Sequence, residues 1–303
     1  MQLQNLYSFA DLEQQFGRVV ETHDGLATTE HDLLGRYYRD VLAETVAIVA
    51  HQWASGVRRS AVKGFFLGGP PGVGKTTLAR RVAYELCRRF SDPDSPSAHQ
   101  VVLALIDGGE IARSRYGESE ARIREVFTLA EKGFAEPDQR SIILFDDVES
   151  VLMARGSDNA KEWHFSQDSV FFHSVDNLDT SRTVVFLTSN RPDLVDEAIL
   201  DRFLAYAVGT PEPALFVEVA VRAAEAQHLS AAQIGALRDR VQRAAEAGRL
   251  VSIRDAERLA VREYVETLLG RPSTALIGAD RLASNWGTRP SSPGVPSRSP
   301  ARG

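Results

Sequence analysis

A single cysteine, Cys87, stands among 303 residues, which rules out an internal disulfide framework and fits a reducing compartment. It lies in the apolar run "VAYELC" and reads as a buried small hydrophobe, not a nucleophile. No apolar run is long enough to span a bilayer. The opening "MQLQNLYSFADLEQQF" lacks the basic-then-apolar order of a signal peptide. A cytoplasmic chain with no membrane partner is the expectation. Positive charge is also short: 35 Lys and Arg against 41 Asp and Glu give a net charge of -6, with no basic stripe. That argues against a nucleic-acid partner. The seven histidines include no pair at metal-ligand spacing with a further acidic or sulfur ligand nearby, and His164 and His173 read as surface or loop residues. No internal repeat is visible.

What is present is ordinary globular composition, 43% hydrophobic and 25% charged, in a chain long enough to bury a core. Residues 1–58 read as an N-terminal helical extension, with "DVLAETVAIVAHQWA" carrying apolar residues at helical spacing. Four short apolar runs follow: "GFFL", "VVLALID", "SIILFDD" and "TVVFLTSN". Each is nearly continuous, as strands covered on both faces should be. Helical stretches separate them at Thr76–Phe90, Ser119–Lys132 and about Ser166–Asn177. A weaker run, "AYAVGTP" (Ala205–Pro211), supplies a fifth strand candidate. Strands alternating with helices predict an α/β domain over 59–211, with a parallel sheet between helical layers. Residues 212–271 are rich in Ala, Leu, Arg and Glu at helical spacing and predict a small helical lid domain. From about residue 285 the chain becomes rich in Pro, Ser, Gly and Arg, and residues 272–303 read as a disordered tail.

The chemistry begins at Gly69-Pro70-Pro71-Gly72-Val73-Gly74-Lys75-Thr76, which fits G-x-x-x-x-G-K-[ST] between a strand and a helix. A triphosphate needs backbone N–H groups aimed inward, and side chains would block their approach. Glycines leave that concavity open, and the following helix offers unpaired N–H groups and a positive dipole end. Lys75 is placed to meet the β- and γ-phosphates of ATP, and the Thr76 hydroxyl to hold Mg²⁺. Thr77 closes the cofactor-binding stretch without chemistry of its own. The bland alternative is a Gly/Pro turn with an incidental lysine.

"IILFDDVES" is an apolar strand ending in two aspartates. At the carboxyl end of a strand beside the phosphate loop, Asp146 suits the Mg²⁺ shell with Thr76. Asp147 occupies the place of the residue that polarises the attacking water. Its alternative is to cap the helix that follows.

These segments resemble AAA+ ATPases over residues 60–270. "DDVESVLMAR" follows its strand as the family's acidic segment does. "SRYGESEARIREVF" is similar to the stretch after the second strand, and "TSNRPDLVDEAILDRF" to the sensor-1 segment that leads into an arginine finger. Within AAA+, "VES", a lone "DR" before Phe203 and "LVSIRDAERL" resemble the pachytene-checkpoint family of HORMA-domain remodellers. Its bacterial members accompany anti-phage signalling systems. The resemblance implies a homo-oligomeric, hexameric ring and roles residue by residue. Asn190 matches the sensor-1 residue, Arg202 the finger that reaches a neighbour's γ-phosphate, Arg254 the sensor-2 arginine of the lid and Tyr116 the pore aromatic. Each has a structural alternative. Asn190 could hold a turn before Pro192, and Arg202 could pair with Asp196 or Glu197. Arg254 could be a solvated helix charge, and Tyr116 could pack between helices.

Three departures from the family stand out. Asp147 replaces the usual glutamate, which sets the carboxylate on the order of 1 Å further back, a displacement that can cost about 100-fold in rate. Only Arg202 precedes the Phe where two arginines are usual. The residues ahead of the sheet are too few for the substrate-adaptor domain of eukaryotic relatives. The expected function is an ATP-driven protein remodeller. The rivals are a loader or matchmaker for a nucleic-acid complex, and a weakly hydrolysing ATP-binding scaffold.

Overall fold

The computed structural model describes residues 5–91, 101–112, 117–134, 139–152 and 162–273. The chain divides into two compact units, Met1–Leu215 and Phe216–Gly303. The first unit runs β1 (Leu6–Tyr7), α1 (Phe9–Phe16), β2 (Val19–His23), β3 (Leu26–Thr29), α2 (Leu34–Tyr37) and α3 (Arg39–Ala54). It continues with β4 (Gly64–Gly68), α4 (Lys75–Phe90), β5 (Val101–Asp107), α5 (Gly108–Ala112) and α6 (Glu118–Lys132). Then come β6 (Arg140–Asp146), α7 (Glu162–Asp176), β7 (Thr183–Ser189) and β8 (Phe203–Ala207). Short 3₁₀ turns sit at Val148–Ser150, Pro192–Leu194 and Glu197–Ile199.

The main sheet has the order β1-β5-β6-β7-β4-β8, parallel throughout except for β1, which pairs antiparallel with β5. The near-continuous apolar runs are explained by two cores, one on each face. Phe65, Leu67, Leu103, Ile142, Leu144, Val184 and Phe186 join a cluster with residues of α1, α3 and α4. Their strand neighbours Phe66, Ile106, Ile143, Phe145, Val185 and Leu187 join a second cluster with residues of α6 and α7. Alternate side chains thus go to opposite faces, and both faces are covered. Each fully buried Leu, Ile, Val or Phe contributes roughly 1.5–3 kcal/mol on transfer from water. Cys87 is buried on α4, as expected of a small hydrophobe.

This order positions the site. After β4 the chain crosses through α4 to β5, passing over β7 and β6, so β4 lies at a point where the strand order reverses. Ligands of open α/β sheets bind outside the carboxyl ends at such points. Register places Gly68 beside Ser189 and Asp107 beside Asp146 at those ends.

The N-terminal 58 residues differ from the all-helical expectation. Three helices are present, but β1 extends the main sheet and β2–β3 form an antiparallel hairpin. The cause is local. Gly17 ends α1 at φ 77°, and Asp24-Gly25 turn with φ 52° and 74°. Asp-Gly with both φ values positive is the two-residue turn that closes hairpins, here between β-branched segments. Nor does this segment stand apart from the sheet: Leu12, Phe16, Leu26, Val46 and Trp53 belong to the same core as Phe65 and Leu103. The hairpin is strapped to α4. The guanidinium of Arg81, fully buried, donates to the Ala27 carbonyl at 2.6 Å and pairs with Asp32 and, at 3.0 Å, with Glu85. Arg88 and Arg89 both donate to the Gly25 carbonyl.

The fifth strand lies slightly ahead of its expected place, at Phe203–Ala207. From Pro213 the chain is helical: α8 (Pro213–Ala226), α9 (Ala231–Glu246) and α10 (Ile253–Leu269). Ser230 and Ser252 each open a helix with a capping box, and Gly270 ends α10 at φ 62°. Leu237 and Val241 of α9 and Ala256 and Ala260 of α10 are buried, and Arg240 pairs with Glu263 at 2.9 Å. Among the described residues no helix is long and apolar enough to cross a membrane.

Candidate functional site

The loop between β4 and α4 takes its shape from its glycines. A Cβ on Gly69 would lie 2.1 Å from the Val208 carbonyl oxygen, so no other residue fits without moving the backbone. Gly72 and Gly74 have φ of 76° and 94°, and Gly74 is the residue from which α4 starts. Lys75 opens α4 and is only 5% exposed. Its Nζ donates at 2.8 Å to the carbonyls of Gly69 and Pro70 and to Asn190 Oδ1. The ammonium is therefore held inside the loop, on acceptors that an anion can replace.

Thr76, one residue on, donates its hydroxyl to Asp146 Oδ1 at 2.7 Å. The Thr188 hydroxyl donates to the same oxygen. A hydroxyl and a carboxylate in contact form a hard oxygen pair of the kind Mg²⁺ accepts beside phosphate oxygens. Among the described residues no cluster of three His, Cys, Asp or Glu side chains could hold a metal alone, so the pair fits a cation that arrives with phosphate.

Asp147 sits in the left-handed region, φ 53° and ψ 51°, and its side chain makes no capping hydrogen bond to the turn at Val148–Ser150. The helix-cap alternative is thereby removed. Its N–H donates to Thr188 Oγ1 at 3.2 Å, and its Oδ1 accepts from Asn190 Nδ2 at 2.5 Å. Asn190 thus bridges Lys75 and Asp147. Although Asp147 keeps an exposed face, partial withdrawal from water raises its carboxyl above the ordinary value, and the charges of Asp146 and Glu149 push the same way. Gly108, at the start of α5, lets this corner close. A Cβ there would meet the Asp147 carbonyl and Ser150 Oγ at 2.7 Å.

Arg202 lies elsewhere in its contacts. Its Nε and one terminal nitrogen hold Asp176 at 2.6 and 3.0 Å, and its other terminal nitrogen donates to the Ala198 carbonyl at 3.1 Å. The guanidinium stands 5.0 Å from the Phe172 ring centre. The carboxylate it hydrogen-bonds is thus that of Asp176, and Asp196 accepts from the Ala198 N–H. Arg254 is exposed on the first turn of α10, in the second unit. Tyr116 lies outside the described residues.

Two members of the constellation escaped sequence reasoning. Thr188 stands two residues before Asn190 in "TSN", and the Glu149 carboxylate accepts the Asn190 N–H at 3.1 Å. Both lie inside segments singled out above, where a polar residue on an otherwise apolar strand and a second acid after the aspartate pair were the available signals.

The family model described as "ATPase family associated with various cellular activities (AAA)" matches residues 65–208. A proteasome-associated ATPase of Acidimicrobium ferrooxidans is 33% identical over 144 residues, 47% of this chain and 24% of that protein. An AAA ATPase forming ring-shaped complexes from Rothia mucilaginosa is 32% identical over 139 residues, 46% of this chain and 23% of that protein. The chain thus spans about a quarter of the length of these relatives. The crystal structure of the FIGL-1 AAA domain in complex with ADP superposes with a TM-score of 0.58 at 19% identity, covering 88% of this chain and 77% of that one. At that identity the likeness speaks for the fold.

Proposed function

We propose that this chain, whose residues 65–208 match the AAA ATPase family model, hydrolyses ATP in an oligomeric ring and uses the cycle to thread or partly open a protein partner. The observation that carries the reading is the bridge from Lys75 through Asn190 to Asp147, beside the Thr76–Asp146 pair. It joins a phosphate-binding cation to a carboxylate suited to water, at the carboxyl ends of a parallel sheet.

Each residue then has a task. The glycine loop presents its N–H groups to the phosphates. Lys75 exchanges the Gly69 and Pro70 carbonyls for β- and γ-phosphate oxygens. Thr76 and Asp146 hold Mg²⁺, which when bound neutralises charge on those oxygens. Asp147, one oxygen fixed by Asn190, orients and polarises the attacking water with the other. Arg202 serves the γ-phosphate of a neighbouring subunit, Arg254 answers to nucleotide from the lid, and Tyr116 grips the partner in the pore. Relatives named for ring-shaped complexes and for the proteasome support the ring and a protein substrate. A hexamer acting on a HORMA-domain protein in bacterial anti-phage signalling is the finer form of this proposal, and it rests on the sequence likeness alone. Asp147 favours a second reading, a scaffold that binds ATP and turns it over slowly.

Lys75→Ala tests the site. ATP affinity should fall at least about 100-fold while the fold, judged by circular dichroism, is kept. A folded variant that titrates ATP like the parent would remove the assignment. For the partner, hydrogen exchange of a HORMA-domain protein should rise when the chain and ATP are added together; unchanged exchange would reject that partner.

A further inference from the structure

Arg202 and Asp176 form a pair that stability does not explain. Asp176 is the last residue of α7, where the helix dipole disfavours an anion. The side chains are 26% and 49% exposed, and ion pairs so open to water contribute little to folding. Yet the geometry is that of a two-pronged clasp. Nε and one terminal nitrogen meet the two carboxylate oxygens, the other terminal nitrogen meets Ala198, and Phe172 lies beneath the guanidinium plane. An unrestrained arginine samples many rotamers, and three anchors and a ring restrict it to few. Each terminal nitrogen keeps one further N–H that these contacts leave unused. The exposed part of the guanidinium is thus preset with donors to spare.

We propose that Asp176 is a positioning residue for Arg202, holding its guanidinium in the pose in which the spare N–H groups meet the nucleotide of a neighbouring subunit. The inference rests on the proposed action of Arg202 in trans. Asp176 itself touches no nucleotide. It acts through the arginine, by lowering the ordering cost of the contact between subunits.

The test uses the full chain with Asp176→Ala, Asp176→Asn, Arg202→Ala and Lys75→Ala. Asp176→Ala should lower kcat for ATP by between about 10- and 100-fold, the range expected of a misplaced catalytic group. ATP affinity and melting temperature should be unchanged. Asp176→Asn, which keeps an acceptor of the same shape, should recover part of the loss. The deciding arm is mixing. An Asp176→Ala subunit has an intact phosphate loop and a poorly held finger; a Lys75→Ala subunit has the reverse. Rings verified as mixed by native mass spectrometry contain interfaces with both parts intact, so turnover should return. If Arg202→Ala mixed with Lys75→Ala regains activity but Asp176→Ala does not lose it, or is not rescued, the proposal fails alone. If Arg202→Ala is not rescued either, trans action has failed first, and the proposal goes with it. A fall in kcat that tracks a fall in melting temperature would make the clasp merely structural.

Discussion

Asp147→Asn should leave ATP bound and largely unhydrolysed. The substitution is isosteric, so the Asn190 amide still has an oxygen to meet at the 2.5 Å contact, and the left-handed backbone at φ 53° suits Asn as well as Asp. What disappears is the negative charge. A positioned carboxylate acting on a water contributes typically 10²–10⁴-fold, or roughly 3–5 kcal/mol of barrier at about 1.4 kcal/mol per tenfold. The kcat for phosphate release should therefore fall at least about 100-fold, while the ATP dissociation constant, set by Lys75 and the glycine loop, stays within about threefold. Asp147→Glu separates reach from charge. It carries the carboxylate one methylene further and should preserve or raise kcat. It should also cost about 1 kcal/mol of stability, because a longer side chain gains no local hydrogen bond to offset the left-handed backbone. That backbone is a physical reason for aspartate at this position. Single-turnover phosphate release at saturating Mg-ATP, with affinity measured separately, is the assay. If Asp147→Asn hydrolyses ATP at a rate near the parent's, the carboxylate is not the group that acts on water, and the site must be reassigned.

Three further outcomes follow from the structure. Arg81→Ala leaves Asp32 and Glu85 buried with their shared cation gone, a loss of about 3–5 kcal/mol; thermal melting should drop on the order of 10 °C, and a drop of only a degree or two would show that the strap is dispensable. Gly69→Ala forces a Cβ to 2.1 Å from the Val208 carbonyl, so the loop must shift. Nucleotide affinity should fall more than about tenfold, as a misplacement near 1 Å would produce, and isothermal titration at parental strength would contradict this. Cys87 is buried, and that burial raises its thiol far above the ordinary range. Native protein should therefore leave Ellman's reagent unreacted at neutral pH and release one thiol per chain in guanidinium; rapid colour from the native form would place the thiol at the surface.

The sheet was legible because its central strands, β4 to β7, are buried on both faces. A run such as "IILF" or "VVFLT" has no polar alternation to mislead, and strands of this kind between helical stretches leave few topologies open. The hairpin was less legible for an energetic reason. β2 is exposed along its whole length, so no apolar pattern marks it. Its signal was the turn, Asp24-Gly25, set among polar residues ahead of a long helix, and the apolar spacing of α3 dominates that stretch of the sequence. The hairpin is held less by its own sequence than by Arg81, Arg88 and Arg89, some sixty residues away on α4. No local window contains those contacts.

The phosphate loop reads from sequence because the backbone geometry demands glycine at fixed spacing, and the Thr76–Asp146 pair follows once the strand ends are aligned by register. The bridge through Asn190 does not follow. Lys75 and Asn190 are far apart in the chain, and they meet because β4 and β7 are adjacent in space although four α-helices and two strands lie between them in sequence. Arg202 shows the converse. Its motif names the residue but not its support, since Asp176 belongs to α7 and reaches it only after that helix packs on the sheet. Sequence motifs therefore mark the groups proposed to meet ligand, where chemistry restricts the residue type. The groups in contact with them, Thr188, Glu149 and Asp176, emerge only when strand order and helix packing bring distant segments together.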